Sequence, residues 1–363
     1  MDTVNELRLH AGKRSRADAS AGLMEKTGSP VMILLLLAPV AAFLLSFALG
    51  RYAISIPDLF HALYIKWFHV QGLSDSEAAI QTVVFHVRIP RILTAMLVGA
   101  ALSVSGASYQ GMFRNPMVSP DILGASAGAG FGAALAILLS IGIVGVQISA
   151  FLFGLVAVGL TYVISAVISR GNNAIPTLVL IGMVIATLFS SFISMTKYVA
   201  DPYSKLPEIT FWLLGGLSSI GTQDLQMLVI PVLLGAVPLL LLRWKLNVLS
   251  FGEEEAQAMG VDTRRLRLVV IVCATLMTSA AVSVSGMIGW VGLIIPHLAR
   301  MLVGPNYKVL LPASLLLGST YLLLVDDIAR SLMQLEVPLG ILTSLIGAPF
   351  FVILLLRGRR GWV

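Results

Sequence analysis

The chain carries ten separated runs of mainly apolar residues, at 31–50, 92–112, 122–142, 144–168, 175–198, 225–243, 266–286, 288–303, 309–328 and 339–356. An α-helix rises about 1.5 Å per residue, so about 20 apolar residues cross the hydrocarbon core of a bilayer. Inside that core every backbone N–H and C=O must be satisfied within its own segment, which makes a helical bundle the fold for runs of this length. Composition agrees. The chain is 57% hydrophobic and 12% charged, whereas soluble domains average about 45–50% apolar and about 25% charged. A cytosolic enzyme, a disordered chain and a disulfide-stapled secreted domain are excluded, the last because Cys273 is the only cysteine and sits in an apolar run. The expected fold class is an all-α polytopic membrane protein with ten transmembrane helices.

Ten spans put both termini on one side. With the N-terminus inside, the inner segments hold 17 of the 24 Lys and Arg residues and the outer segments 7. The positive-inside rule then predicts cytoplasmic termini. The same rule accounts for the pI near 9.6, so no nucleic-acid partner is expected. Residues 1–30 are polar and of mixed charge, and are expected to form a disordered cytoplasmic tail. The run 31–50 exceeds a signal peptide's apolar region of about 7–15 residues and is expected to be retained. Residues 31–356 form the membrane domain, and 357–363 a second cytoplasmic tail.

Ala101-Leu-Ser-Val-Ser-Gly106 recurs as Ala281-Val-Ser-Val-Ser-Gly286. The copies fall in the second and seventh spans, so they run in opposite directions, as in the inverted repeats of transporters.

Charges inside the spans are few. Asp326 and Asp327 lie near the outer end of the ninth span, and Asp326 is spaced to pair with Arg330 on one helix face. A paired cluster at a helix mouth is favoured over a proton site. No Walker-type phosphate loop occurs, so a nucleotide driving transport would bind to another chain. Gly124-Ala-Ser-Ala-Gly128 fits the G-x-S-x-G nucleophile pattern, with His297 as a distant histidine. Gly124, Gly128 and Gly132 also recur every fourth residue, the pattern that lets membrane helices pack closely, and packing is favoured.

The connection from Arg243 to Arg267 is cytoplasmic. Ser250 and Glu253 have capping-box spacing, Glu253, Glu254 and Glu255 suit the positive end of a helix, and Gly260 suits a left-handed stop. A short helix over 251–259 is predicted there, suited to docking a partner. On the opposite face, Arg88 and Arg91 at the entrance to the second span run against the orientation rule. They read either as snorkelling anchors or as a positive patch for an acidic partner.

The stretches Arg88-Ile-Pro-Arg91, Val98-Gly-Ala-Ala-Leu-Ser-Val-Ser-Gly106, Gln110-Gly-Met-Phe-Arg-Asn-Pro116, Gly292-Leu-Ile-Ile-Pro-His-Leu-Ala-Arg300, Glu336-Val-Pro-Leu-Gly340 and Ile346-Gly-Ala-Pro-Phe350 resemble the FecCD-type permeases of bacterial ABC importers over roughly 31–356. The resemblance implies a type II importer permease in the bacterial cytoplasmic (inner) membrane, working as a homodimer. Its implied partners are two cytoplasmic ATPase subunits, which bind ATP and Mg, and a periplasmic or lipid-anchored binding protein. No cofactor or metal is implied for the chain itself.

By the same resemblance, 247–263 is the coupling surface, including Ser250, Gly252, Glu253, Glu254, Glu255, Ala256 and Gly260. Arg88, Arg91 and Arg330 match outer arginines that meet glutamates of the binding protein. The cytoplasmic gate falls near Gly171, Asn172 and Asn173, where the small hydroxyl residues usual in the family are missing. Uncharged span interiors with modest polarity at Ser190, Ser191, Ser194 and Thr196 suit the passage of a bulky chelate. Ferric siderophores, haem and cobalamin are the implied cargo, with oxyanions less common. The histidines His61, His69 and His86 read as ordinary surface residues. Two other classes compete: an ion-coupled secondary transporter using Asp326 or Asp327, and an intramembrane protease using Ser126.

Overall fold

Proline and glycine punctuate a chain that is otherwise helical wherever it is described. The computed structural model describes residues 30–47, 49, 55–68, 74–169 and 174–358. The tail expected over 1–30, apart from Pro30, and 359–363 of the C-terminal tail lie outside the described residues, as do Asn172, Asn173 and His69.

The first hydrophobic helix is α1 (Pro30–Phe47). Then come α2 (Ile56–Phe68) and α3 (Asp75–Thr82), which continues through a π-helical segment (Val83–Arg88) into α4 (Ile89–Phe113). After a short 3-10 turn (Pro120–Leu123) follow α5 (Ala125–Leu138), α6 (Ile143–Ile168), α7 (Ala174–Val199), α8 (Lys205–Leu214) and α9 (Thr222–Leu241). The rest comprises α10 (Arg243–Leu249), α11 (Glu253–Ala258), α12 (Thr263–Ser285), α13 (Val291–Val303), α14 (Tyr307–Ser331) and α15 (Leu339–Gly358). Among the described residues there is no strand.

Each of the ten apolar runs coincides with one of these helices. Among the described residues seven helices are long and apolar enough to cross a membrane, while α5, α13 and the apolar stretch Leu339–Leu354 of α15 are shorter. This multi-pass protein therefore uses full-length and partial helices together. The 13 residues of α13 reach only about 20 Å, short of the roughly 30 Å core. Its start explains why. Gly292 lies against Leu102 and Gly106, midway along α4, so the chain descends into the bundle before α13 begins. The irregular stretch between α12 and α13 is tolerated because protein surrounds it. The Gly216 N–H donates to the Ser285 carbonyl at 2.8 Å, and the Leu339 N–H to the Gly215 carbonyl at 2.9 Å.

The central helix is α4, with 21 of its 25 residues buried. It runs antiparallel to α14: Arg91 meets Asp326, Gly99 meets Gly318, and Gly111 meets Tyr307. It also runs antiparallel to α12, where the Ser105 hydroxyl donates to the Ala274 carbonyl at 3.2 Å and the Tyr109 hydroxyl, further along α4, donates to the earlier Ile271 carbonyl at 3.5 Å. That is the relation expected of spans two and seven. The two copies of the repeat nevertheless end differently. Gly106 lets α4 touch α13 in mid-helix, whereas Gly286, at φ +69°, terminates α12 against the Trp212 carbonyl.

The small residues of α5 divide by role. Gly128 and Gly132 lie directly on α6, at the backbones of Phe153 and Ser149, and the Ser149 hydroxyl donates to the Gly132 carbonyl at 2.7 Å. Gly124 does not continue that stripe. Its φ of +89° makes it the left-handed residue at the start of α5, facing α7 at Ala186.

Candidate functional site

Two polar regions stand at opposite ends of the bundle. At the end carrying Arg88, three arginines and three carboxylates converge from the π-helical segment, α4, α14 and the α14–α15 connection, against the last turn of α1. Arg91 makes a two-pronged pair with Asp326, Nε to Oδ2 at 2.9 Å and Nη2 to Oδ1 at 2.8 Å. Its Nη1 and Nη2 also donate to both oxygens of Glu336, at 3.0 and 2.9 Å. Arg330 pairs with Asp327 one helical turn back on α14, and donates to the carbonyl and hydroxyl of Ser46 at 2.7 and 2.6 Å. The Ser46 hydroxyl in turn donates to Asp327 at 2.7 Å. Arg88 donates to the carbonyl of Phe47, the last residue of α1.

This arrangement corrects two expectations. The same-helix pair Asp326–Arg330 does not form. Asp326 faces α4 and takes Arg91, leaving Asp327 to Arg330, because the adjacent aspartates point about 100° apart around the helix. The arginines are also neither exposed nor snorkelling. Arg88, Arg91 and Arg330 are 5%, 9% and 7% exposed in the subunit, and Asp326 and Asp327 are 1% and 2%. A positive patch inferred from sequence is thus a charge-balanced buried cluster. The reason is geometric: Asp326 and Glu336, which neutralise Arg91, lie 235 and 245 residues away from it in the chain.

Beside the cluster opens a cavity of about 670 Å³. Arg91, Asp326 and Glu336 line one wall, and Gln147 with Asp224 another. Nearby, the turn into α8 is held by Asp201, whose carboxylate accepts from the Ser204 hydroxyl and amide, both at 2.8 Å, and from the Tyr203 amide at 3.0 Å. These donors, the Ser204 hydroxyl foremost, hold the Asp201 carboxyl below the usual carboxylate range.

At the other end, α10 and α11 form the connection predicted as a docking element. The helix is α11, but its start differs from the expectation. Ser250 ends α10, its hydroxyl donating to the Asn247 carbonyl at 2.7 Å, and it does not cap α11. Gly252 is the N-cap, at φ +144°. Glu253 does not reach back. It turns toward α12, pairs with Arg267, and accepts from the Thr263 hydroxyl at 3.2 Å.

The end of α11 is as read from sequence. Gly260 has φ +77°, its N–H donates to Gln257 at 2.9 Å, and the Val261 N–H donates to Ala256 at 2.9 Å, a Schellman stop. Ala256 and Val261 are buried, while Glu254 and Glu255 remain exposed. The connection is not free to swing. Asn247 accepts from the Tyr307 N–H at 3.2 Å, and Arg243 donates to the Lys308 carbonyl at 2.9 Å, fixing α10 to the first turn of α14.

On α7, Ser190, Ser191 and Ser194 are exposed, and each hydroxyl donates to the carbonyl four residues back, at 2.8, 3.0 and 3.0 Å. Satisfied in this way, they leave a face that is polar in composition but carries no free donor. Ser126 donates to Asp121. That bond ties the first turn of α5 to the 3-10 turn before it, a structural use of the hydroxyl. Ser126→Ala is expected to leave uptake in proteoliposomes unchanged.

Sequence reasoning missed Ser46, which bonds both Arg330 and Asp327. A lone serine in an apolar run gave only a weak signal of it.

Residues 34–357 match the model of the FecCD transport family. The chain is 43% identical over 322 residues to the molybdate import system permease protein MolB of Haemophilus influenzae, covering 89% of this chain and 94% of that protein. It is 41% identical over 276 residues to the cobalamin import system permease protein BtuC of Halobacterium salinarum, covering 76% and 73%. A solved structure described as an inward-facing conformation of a metal-chelate-type ABC transporter superposes with a TM-score of 0.81 at 42% identity, covering 91% of this chain and 99% of that one. With a family match running through all ten apolar helices, the chain belongs to the FecCD family of ABC importer permeases.

Proposed function

We propose that this permease works as a homodimer of ten-span subunits in a bacterial inner membrane, with both termini cytoplasmic. ATP-binding partner subunits drive it, and a binding protein supplies a metal chelate such as a ferric siderophore, haem or cobalamin. The observation that carries the mechanism is the span of α14. Its first turn is tied to α10 through Tyr307 and Asn247, and its last turns hold Asp326, Asp327 and Arg330. The 25 residues of α14 make a strut of about 37 Å. Closure of the ATPase pair against α11, with Glu254 and Glu255 presented to it, displaces α10. The strut carries that displacement to the outer cluster, and hydrolysis resets it. The exposed faces of α7 and α15 suit a dimer axis, where hydroxyls satisfied within the helix offer a chelate a low-friction wall. The gate at Asn172 and Asn173 and the docking role of Arg88, Arg91 and Arg330 belong to this proposal.

The ion-coupled alternative requires Asp326 or Asp327 to take up and release a proton, yet each is held by a guanidinium. Uptake in proteoliposomes separates the readings. Transport is expected only with ATP and the partner ATPase, and transport driven by a proton gradient alone would overturn the proposal. Cargo is tested in the same vesicles. A relative named for molybdate at 43% identity favours an oxyanion as the second reading, so molybdate is compared directly with ferric siderophore, haem and cobalamin.

A further inference from the structure

The helix α2 has two unlike faces. Leu59, Ala62 and Ile65 are buried against the bundle. The stripe on the other side is apolar and bare: Phe60, Leu63, Tyr64, Trp67 and Phe68 are 41% to 82% exposed, Trp67 most of all. A single exposed apolar residue needs no explanation, but five on one face of a 13-residue helix do.

The helix is held in place. Gln81 of α3 donates to the Ala62 carbonyl at 2.6 Å, His61 lies 3.1 Å from Glu77, and the Lys66 ammonium sits 5.5 Å from the Phe85 ring. These pairs ascend together along both helices, so α2 runs beside α3 in the same direction. Its C-terminal end reaches the level of Phe85, one turn before Arg88. Arg88 in turn bonds the carbonyl that ends α1. The Tyr64–Phe68 end of α2 therefore stands at the mouth of spans α1 and α4, level with the end of the hydrophobic face of α1, where Leu37, Val40 and Leu44 are exposed.

We propose that the Tyr64–Phe68 end of α2 reaches into the headgroup region of the phospholipid bilayer at that end of the spans, with Tyr64, Trp67 and Phe68 seated at the headgroup–acyl boundary as an interfacial anchor. Three observations choose lipid over a protein partner. The stripe carries no charge that could set the register of a protein interface. Its Trp and Tyr are residues that populate membrane–water interfaces. Its depth is continuous with that of the apolar face of α1. Since α2 runs beside α3, which leads into the span α4, it meets the interface end-on, and at 13 residues it is too short to cross the bilayer. By tethering the α1–α4 connection to the lipid surface, α2 gives the Arg88 cluster a fixed height above the bilayer, independently of what docks there.

Depth measurement tests this. Cys273 is the only cysteine, so a Cys273→Ala background takes single nitroxide labels at Tyr64→Cys and Trp67→Cys, with Ser76→Cys on α3 as the outlying position. The full chain is placed in phosphatidylethanolamine–phosphatidylglycerol nanodiscs without a binding protein. Labels at 64 and 67 are expected to favour oxygen over a water-soluble nickel chelate about threefold or more relative to the label at 76. A nickel preference equal to that at 76 would put the stripe in water and overturn the proposal. Protection from both reagents would mean that protein, such as a second copy, covers the stripe, and would overturn it equally. A second measurement leaves the helix intact. Lipids brominated just below the headgroup should quench tryptophan emission, and Trp67→Phe should remove the most strongly quenched component. Unchanged quenching in Trp67→Phe refutes the anchor even if the cysteine variants fold poorly.

Discussion

Replacing Arg91 by methionine is expected to destabilise the purified subunit by about 3–5 kcal/mol, the usual effect of removing one partner from a buried ion pair. Methionine keeps the length and apolar bulk of the side chain, so the loss is electrostatic. Asp326, 1% exposed, would lose both guanidinium bonds, and water could approach it only from the cavity it lines. Glu336, which is partly exposed, can turn to solvent and adds less.

The sign of the second step is informative. Adding Asp326→Leu to Arg91→Met removes the stranded charge, and most of the loss is expected to return, because a well-packed apolar pair often matches a buried ion pair. Denaturation midpoints in detergent check both steps. A single variant within about 1 kcal/mol of the parent would mean that the cluster is hydrated. The double variant also isolates the docking role proposed for these arginines. If it is stable yet binds the binding protein more weakly, with the deficit shrinking at high salt, Arg91 contributes to docking as well as to the fold. Unchanged docking leaves Arg91 a structural role alone.

The second large effect is expected at Gly106. In an ordinary helix interior, Gly→Ala gains about 1 kcal/mol. At Gly106 a Cβ would overlap the carbonyl of Gly292, and backbone cannot rotate aside as a side chain can. Gly106→Val is therefore expected to cost about 3 kcal/mol or more by forcing α4 and α13 apart. Gly159 on α6 is the control. It has no heavy atom within 4 Å of the position a Cβ would take, so Gly159→Ala should be neutral or stabilising. Equal behaviour of the two positions would mean that α4 and α13 do not approach as closely as the structure has them.

Much of the architecture was readable because its causes are local. Each apolar run became a helix, since length and the lack of charge leave a membrane segment no other structure. Gly260 ends α11 because only glycine enters the left-handed region without penalty. The start of α11 was misread for an equally physical reason. Ser250 and Glu253 have capping spacing, but α10 claims Ser250 and α12 claims Glu253. Capping motifs are permissive, and the competing partners lie on other helices. The extent of α13 was also hidden, since its short run looks like any short run until Gly292 is seen halfway down α4.

By itself, then, the sequence determined that this is a multi-pass helical permease, which motifs tie it to its family, and where its loops turn. Only the tertiary structure decided what each charge touches. Arg88, Arg91 and Arg330 look from the sequence like a basic patch, and Asp326 looks like the mate of Arg330. The antiparallel approach of α4 and α14, set by Gly99 and Gly318, instead brings Arg91 to Asp326 and turns the patch into a neutral, buried knot. Helix formation depends on neighbours within a few residues, but the pairing of charges depends on which helices meet and how closely, and that is fixed by packing across the whole bundle.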